Sequence, residues 1–487
     1  MSSSAAPSPE AEATPATREL VRALSLRDAI ALVLTVIGTG VFLKTAPMAQ
    51  LVGSPSRVLL VWIAAGLLSL AGALTYAELG AMIPEAGGDY VFLREAYGGL
   101  PAFLFGWTNL FVIASGGIAA VATILASFLS AFLPLGAVWA TRDFQLLGQI
   151  VHWRLGIQQL VAVAVIILFS AINARGVAAG ARVQWIATVA KLGGIAIIVI
   201  GVFAFSHTGS WEHLRAPITA AVGGGVSAFG AAMLAALWAY QGWANVAMMA
   251  GEIEKPERNI PRALIYGMTI VIGVYLITNV AYFYALPFGD VLTSNSTAYR
   301  DALPVAAKAA QTFFRYGAKL VSIAFIIAVI GTLNGIILMN ARVPYAMARD
   351  GLFFRRLGDL SPTTNVPVIA IWVQAVWASV IALSGTFDQI TTSVIFALWL
   401  FFGLVASSLF VLRRKLPAAP RRYRTPGYPM VPILFVLVAV WLVVNSLKAY
   451  PIESAAGLFL IALGLPFFLF FRRTGWLTRA RMKERPQ

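Results

Sequence analysis

The 487-residue chain has no cysteine, only three histidines and few charges, Asp, Glu, Lys and Arg together making up 11% of it. Without cysteine there is no disulfide framework, no thiolate metal site and no Cys nucleophile. The histidines, His152, His207 and His213, all lie between apolar runs, so the apolar segments hold no imidazole ligand or proton shuttle. No metal and no cofactor are expected. Set against 59% hydrophobic residues, the scarcity of charge excludes a soluble domain, whose surface takes roughly a quarter of its residues as charges. What is there instead is apolar sequence in long runs, the composition of a polytopic membrane protein.

A net charge of +16 would suit nucleic acid, but that reading needs a basic face on a soluble module. Here Lys and Arg punctuate apolar runs, so no nucleic acid is expected and the charges report topology. Twelve runs approach the ~20 residues a helix needs to cross a bilayer. They lie near 29–49, 57–83, 102–132, 157–173, 184–205, 225–250, 266–286, 315–341, 366–385, 390–411, 428–447 and 454–471, and are called spans 1 to 12. With both termini in the cytoplasm, 25 of the 36 Lys and Arg residues fall in cytoplasmic segments and 9 in external ones. That bias predicts an N-in, C-in protein of the plasma membrane, the inner membrane of a bacterium, in contact with lipid throughout. Residues 1–23 read as a disordered cytosolic tail without the apolar core of a signal peptide, and 472–487 as a basic cytosolic tail.

Two spans are interrupted by glycine at matching depth: Gly38-Thr39-Gly40 in span 1 and Ala239-Tyr240-Gln241-Gly242 in span 6. Each interruption falls about a dozen residues into its span, roughly 18 Å along a helix, which is near the bilayer midplane. Backbone opened there must line a cavity that holds something polar, because unpaired amides facing hydrocarbon cost several kcal/mol. The half-helix after Gly40 would aim amides and a positive dipole end at a carboxylate, and the carbonyls ending the first half would suit an ammonium group. Glycine eases the opening by tolerating conformations closed to other residues. The plainer reading is that small residues let helices pack closely. In span 6, Trp238 lies too deep for the interfacial aromatic belt and could close over a ligand or simply pack.

These motifs place the chain by resemblance. IGTGVF (37–42) resembles the first-helix signature of the amino acid–polyamine–organocation superfamily, and YAELGAMIPEAGGDYVFLREAYG (76–98), NARGVAAGARVQWIATVAK (173–191), GEIEKPERNIPRA (251–263) and GTLNGIILMNARVPYAMARDG (331–351) extend the likeness over most of Leu24 to Phe410. The tone is closest to the L-type amino acid exchanger branch and its bacterial relatives. The resemblance implies an all-α, LeuT-like fold of twelve helices. Residues 24–411 would form the transporter core, two inverted five-span repeats with spans 1 and 6 broken, and 412–471 a cytoplasmic link with two peripheral spans. It implies a substrate α-carboxylate on the amides of Gly38, Thr39 and Gly40, an α-amino group on carbonyls near Ile37 and Ala239, and Trp238 as a gate. Tyr240, Gln241 and Gly242 complete the expected substrate site. Gln241 replaces a smaller residue of many relatives, so pocket volume is not carried over, and Asn245 stands one residue late for the Asn of the L-type branch.

Lys191 sits inside an apolar run, where a charge costs about 2.5 to 3.5 kcal/mol on insertion scales. By resemblance it is a fixed substitute for a sodium ion, tying span 5 to the opened part of span 1; the alternative is snorkelling to the interface. Lys44, on the outward half of span 1, reads as a snorkelling lysine, with a gate as the second reading. Glu78 is expected to pair a basic residue such as Arg342. The charged residues of EIEKPERNIPRA read equally as inner-gate pairs or solvated loop charges, and Thr332 and Asn334 as site-facing groups or interhelical hydrogen bonders.

The function these readings imply is sodium-independent transport of neutral amino acids by alternating access, since no acidic group is apparent beside either break. A cationic amino acid or polyamine carrier on the same fold is the alternative, and a channel or membrane enzyme the reading from other classes. Animal members of the L-type branch are joined to a glycoprotein by a disulfide; a chain without cysteine cannot form one, so no disulfide-linked subunit is expected.

Overall fold

The computed structural model describes residues 20–146, 149–216, 225–296, 298–299, 302–384, 387–449 and 451–473. The two expected tails lie almost wholly outside them. Ten helices among the described residues are long and apolar enough to cross a membrane. Of the two remaining spans, span 9 is the 17-residue apolar helix Val368–Ser384, and span 6 is split between the helix Val226–Ala239 and the 3-10 segment Trp243–Met249. The chain is a multi-pass, predominantly helical membrane protein.

Local chemistry sets the helix ends. Ser25 caps Leu26–Val33 with a capping box, its Oγ 2.6 Å from Asp28 Oδ2 while the Asp28 amide donates back to it. Ser54 caps Pro55–Met82, whose first residue is a proline that has no amide to leave unpaired. Span 3 runs from Gly99 to Leu129 and carries a π-type bulge at Asn109–Ala114, in the stretch that faces the centre of the bundle.

One element departs from the all-α class. Between spans 3 and 4, Val138–Leu146 and Gln149–Gly156 pair as an antiparallel hairpin, pinned to the bundle by the Trp153 indole donating to Leu383 O at 2.8 Å. The segment lies outside the apolar runs; its first strand does not alternate at Thr141-Arg142-Asp143, whereas the second does, from Val151 to Leu155. On the opposite face, Leu24 pairs with Ile253 and the amides of Ala23 and Leu24 donate to Glu252 O at 3.0 and 2.9 Å, so the start of span 1 and the end of span 6 are tied together. Spans 2 and 7 pack along each other, as do spans 5 and 8, bracketing the two interrupted helices.

Candidate functional site

Span 1 opens where its glycines stand. Leu26–Val33 tightens into a 3-10 turn at Leu34–Val36, Ile37 leaves helical conformation at ψ 89°, and helix resumes at Gly40. The amides of Gly38, Thr39 and Gly40 find no acceptor among the described residues, and neither does the Ile37 carbonyl find a donor. Four of the carbonyls before it are met by side chains of spans 5, 7 and 8. Gln184 Nε2 donates to Ala31 O at 3.3 Å, Lys191 Nζ to Leu34 O at 2.6 Å, Thr332 Oγ1 to Thr35 O at 2.9 Å and Tyr275 Oη to Val36 O at 2.9 Å. Lys191 is fully buried, so its ammonium ends on the opened backbone inside the bundle and does not snorkel.

Tyr275 also reaches the second break. Its hydroxyl lies 2.8 Å from Ala239 O, sharing one hydrogen between carbonyls of spans 1 and 6. Gly242 has φ +114°, a conformation that side chains rarely adopt. Gly38 and Gly40 do not need that freedom; close approach fixes them instead. A Cβ on Gly40 would stand 2.3 Å from Ala239 Cβ, and one on Gly38 2.9 Å from Thr332 Oγ1. Glycine in span 1 therefore serves contact and not conformational freedom: the two breaks touch, and only a missing side chain lets them.

Between the breaks lies a cavity of about 160 Å³, on the scale of the ~150 Å³ cavity that accepts benzene in a protein interior. Gly38, Thr39 and Gly40 line it from span 1, and Trp238, Ala239, Gln241, Gly242 and Asn245 from span 6. The bulged part of span 3, Thr332 and Asn340 of span 8, and Leu398 and Phe402 of span 10 add to the walls. Two of the expected site residues stand behind this surface. Ile37 is buried off the lining, and Tyr240 turns away to donate to Trp62 O at 3.1 Å within an aromatic cluster with Trp62 and Tyr275. Lys191 likewise acts from behind span 1. Asn334 ties spans together through Asn173, Gly180 and Gln184, so of these two candidates Thr332 alone lines the cavity, joined from the same helix by Asn340. Trp238 is half-buried, and Lys44 Nζ lies 4.3 Å from its ring centroid, a cation–π contact worth roughly 0.5 to 2 kcal/mol.

Below the cavity two buried ion pairs differ from expectation. Glu78 is bound bidentately by Arg413 at 2.8 and 2.7 Å and by the Thr425 amide. Arg342, the partner expected for it, instead grips Glu252 at 2.7 and 2.9 Å, both side chains at most 1% exposed. Buried charges persist only when paired and hydrogen-bonded, and which carboxylate meets which arginine follows from helix placement that spacing does not carry. Asp89 was missed altogether: it lines the cavity beside Met248, at the start of a helix, Asp89–Tyr97, that lies between spans 2 and 3. The absence of an acidic group near the breaks is thus corrected. The clue in the sequence was Gly87-Gly88 before it: Gly88 stands so close to Met248 N that its Cβ would lie 2.9 Å away, folding the loop under span 6.

Residues 24–466 match the family model described as amino acid permease. The chain is similar to a serine/threonine exchanger of Bacillus subtilis, 30% identical over 455 residues, covering 92% of this chain and 96% of the relative. It is similar to the human b(0,+)-type amino acid transporter 1, 30% identical over 471 residues with coverage of 95% and 91%. To the human cystine/glutamate transporter it is 28% identical over 454 residues, covering 93% and 86%.

Proposed function

The chain belongs to the amino acid permease family, and from that premise we propose that it is a sodium-independent amino acid carrier working by alternating access in the plasma membrane. Its relatives bear names of amino acid exchangers and transporters, which supports the substrate class and a permease or antiporter mode. The observation that carries the reading is the pair of contacting helix breaks. Free amides at Gly38, Thr39 and Gly40 suit an α-carboxylate, and the half-occupied Ala239 carbonyl, on the cavity lining, suits an α-ammonium group. Lys191, its Nζ on Leu34 O, supplies a fixed cation where other carriers would need a bound one. Gln241 and Asn245 add polar side chains, and Trp238 closes the outer side under Lys44.

The wider architecture proposed with this site is twelve crossings with spans 1 to 5 and 6 to 10 as inverted repeats within 24–411, 412–471 peripheral, and both termini cytoplasmic. Spans 1, 2, 6 and 7 rock against the rest. No disulfide joins it to a partner subunit, since it has no cysteine.

Small neutral amino acids suit a cavity of about 160 Å³. A cationic side chain is the second reading, favoured by the carboxylate of Asp89 in the lining. Uptake of a panel of radiolabelled amino acids into proteoliposomes, empty or pre-loaded, tests both. Saturable alanine, serine or threonine uptake without a sodium gradient is the expected result, and stimulation by pre-loading marks exchange. Linear, unsaturable flux sinks the carrier reading, and putrescine or lysine uptake alone sinks the neutral one.

Tyr275→Phe should raise KM about tenfold, the loss of one hydrogen bond that leaves buried carbonyls unmet, while its ring keeps its packing against Trp62 at 5.0 Å. An unchanged KM would reduce Tyr275 to an aromatic spacer.

A further inference from the structure

Asp89 lies outside the spans, yet its residue is 2% exposed and lines the same cavity as both breaks. The Tyr76 hydroxyl donates to Oδ2 at 3.2 Å, whereas Oδ1 is buried with no hydrogen-bond partner among the described residues. An anion so placed is costly unless something cationic or protic meets it.

Among the described residues, the surrounding elements do not supply a cation to it. On its own helix, Arg94 is engaged by Glu85, Glu95 and Asp350, and Tyr90 donates to Asp350. Gly99–Thr108 and Trp243–Met249, packed against that helix, contain no ionisable side chain. From Arg342–Arg349 come Arg342, held by Glu252, together with Tyr345 and Arg349, and neither of these bonds to Asp89. From the last turn of span 10 come Arg413, held by Glu78, Arg414, and Lys415, which donates to Ala96 O. Span 2 contributes Tyr76.

We propose that Asp89 is the proton-binding and charge-selecting group of this carrier: its Oδ1 takes up a proton when a neutral amino acid fills the cavity, and releases it to face the cationic side chain of a basic one. The inference rests on the amino acid carrier reading above and deepens it. A neutral substrate expels water from around the carboxyl without supplying counter-charge, which favours the protonated form; an ammonium or guanidinium group favours the ionised form. Burial pushes the Asp89 carboxyl up to about 7, against the opposing pull of the Tyr76 hydroxyl and its own backbone amide, so both forms are within reach near neutrality. The signs follow. Affinity for a cationic amino acid falls up to about tenfold per pH unit below about 7, and affinity for a neutral one falls up to about tenfold per unit above it.

Two measurements test this on the purified full chain. In weakly buffered detergent near pH 7, an indicator dye should report proton uptake on adding alanine and proton release on adding lysine; absence of proton exchange with either overturns the proposal without any variant. In proteoliposomes, alanine and lysine affinities measured between about pH 6 and about pH 8 should slope in opposite directions. Asp89→Asn, a fixed protonated mimic, should flatten the alanine profile and weaken lysine by tenfold or more at the alkaline end, and Asp89→Glu should restore the slopes. A pH profile unchanged in Asp89→Asn overturns the assignment while leaving the carrier intact. Failure of the wild-type chain to take up any amino acid instead overturns the carrier reading itself.

Discussion

Gly40→Ala weakens substrate binding about a hundredfold, the upper part of the 1–3 kcal/mol range for overpacking a filled interior. The added methyl would lie 2.3 Å from Ala239 Cβ and 2.7 Å from Ala239 Cα, distances that no rotamer change can relieve because one of the atoms is backbone. The backbone is not free to retreat either, since Tyr275 clamps Ala239 O to Val36 O. The two breaks must part, and with them the amides and carbonyls that would grip opposite ends of a zwitterion. Gly38→Ala is the internal comparison: its methyl meets only Thr332 Oγ1 at 2.9 Å, the end of a side chain that can turn, so a loss of about tenfold or less is expected. Equilibrium binding to monodisperse protein reads both. Equal, small effects at the two glycines would mean that the breaks do not form one clamp.

Lys191→Met lowers uptake by about 10- to 100-fold while leaving thermal stability unchanged or raised. Methionine keeps the length and volume of the buried stem but removes the charge-assisted hydrogen bond to Leu34 O, the class of bond worth about 1.5 to 3 kcal/mol. Stability moves differently because an ammonium group taken out of water carries a desolvation penalty that methionine does not, and exchanging a buried charge for a well-packed apolar group is often neutral or stabilising. Lys191 is fully buried, so this penalty applies in full. Initial rates in proteoliposomes and a melting curve in detergent separate the two effects. Loss of folding together with transport would make Lys191 a scaffold residue, and undiminished transport would deprive it of any part in the cycle.

Much of this arrangement is legible in the residues themselves. Apolar runs of the length of a bilayer give the spans, and the glycines at 38, 40 and 242 mark where the two interruptions fall, because composition and spacing are local properties of the chain. The residues that complete the site are not legible in the same way. Tyr275 is one aromatic among many in an apolar run, and nothing in its neighbourhood announces that its hydroxyl joins two breaks. Tyr240 lies in the middle of the span 6 motif, yet its side chain turns to Trp62, since a residue in an opened segment has no helical periodicity from which to read its direction. Glu78 needed a basic partner, and of several arginines on that face Arg413, more than three hundred positions away, binds it bidentately, with Arg421 Nε at 3.9 Å. The hairpin at Val138–Gly156 is legible only in its second strand, where Val151 to Leu155 alternate apolar and polar; in the first, Thr141-Arg142-Asp143 breaks the period and the backbone ladder holds regardless.

The sequence by itself determined that this chain lives in lipid, that two of its helices are interrupted at their glycines, and that no thiol chemistry is available to it. These follow from composition and from spacing along one strand of residues. Tertiary structure alone decided which side chain meets each opened carbonyl, that Gly40 is held by contact with Ala239, and that Asp89 comes up under the cavity. A hydrogen bond is satisfied over about 3 Å and in one direction, and partners hundreds of residues apart meet that condition only once the helices have been packed.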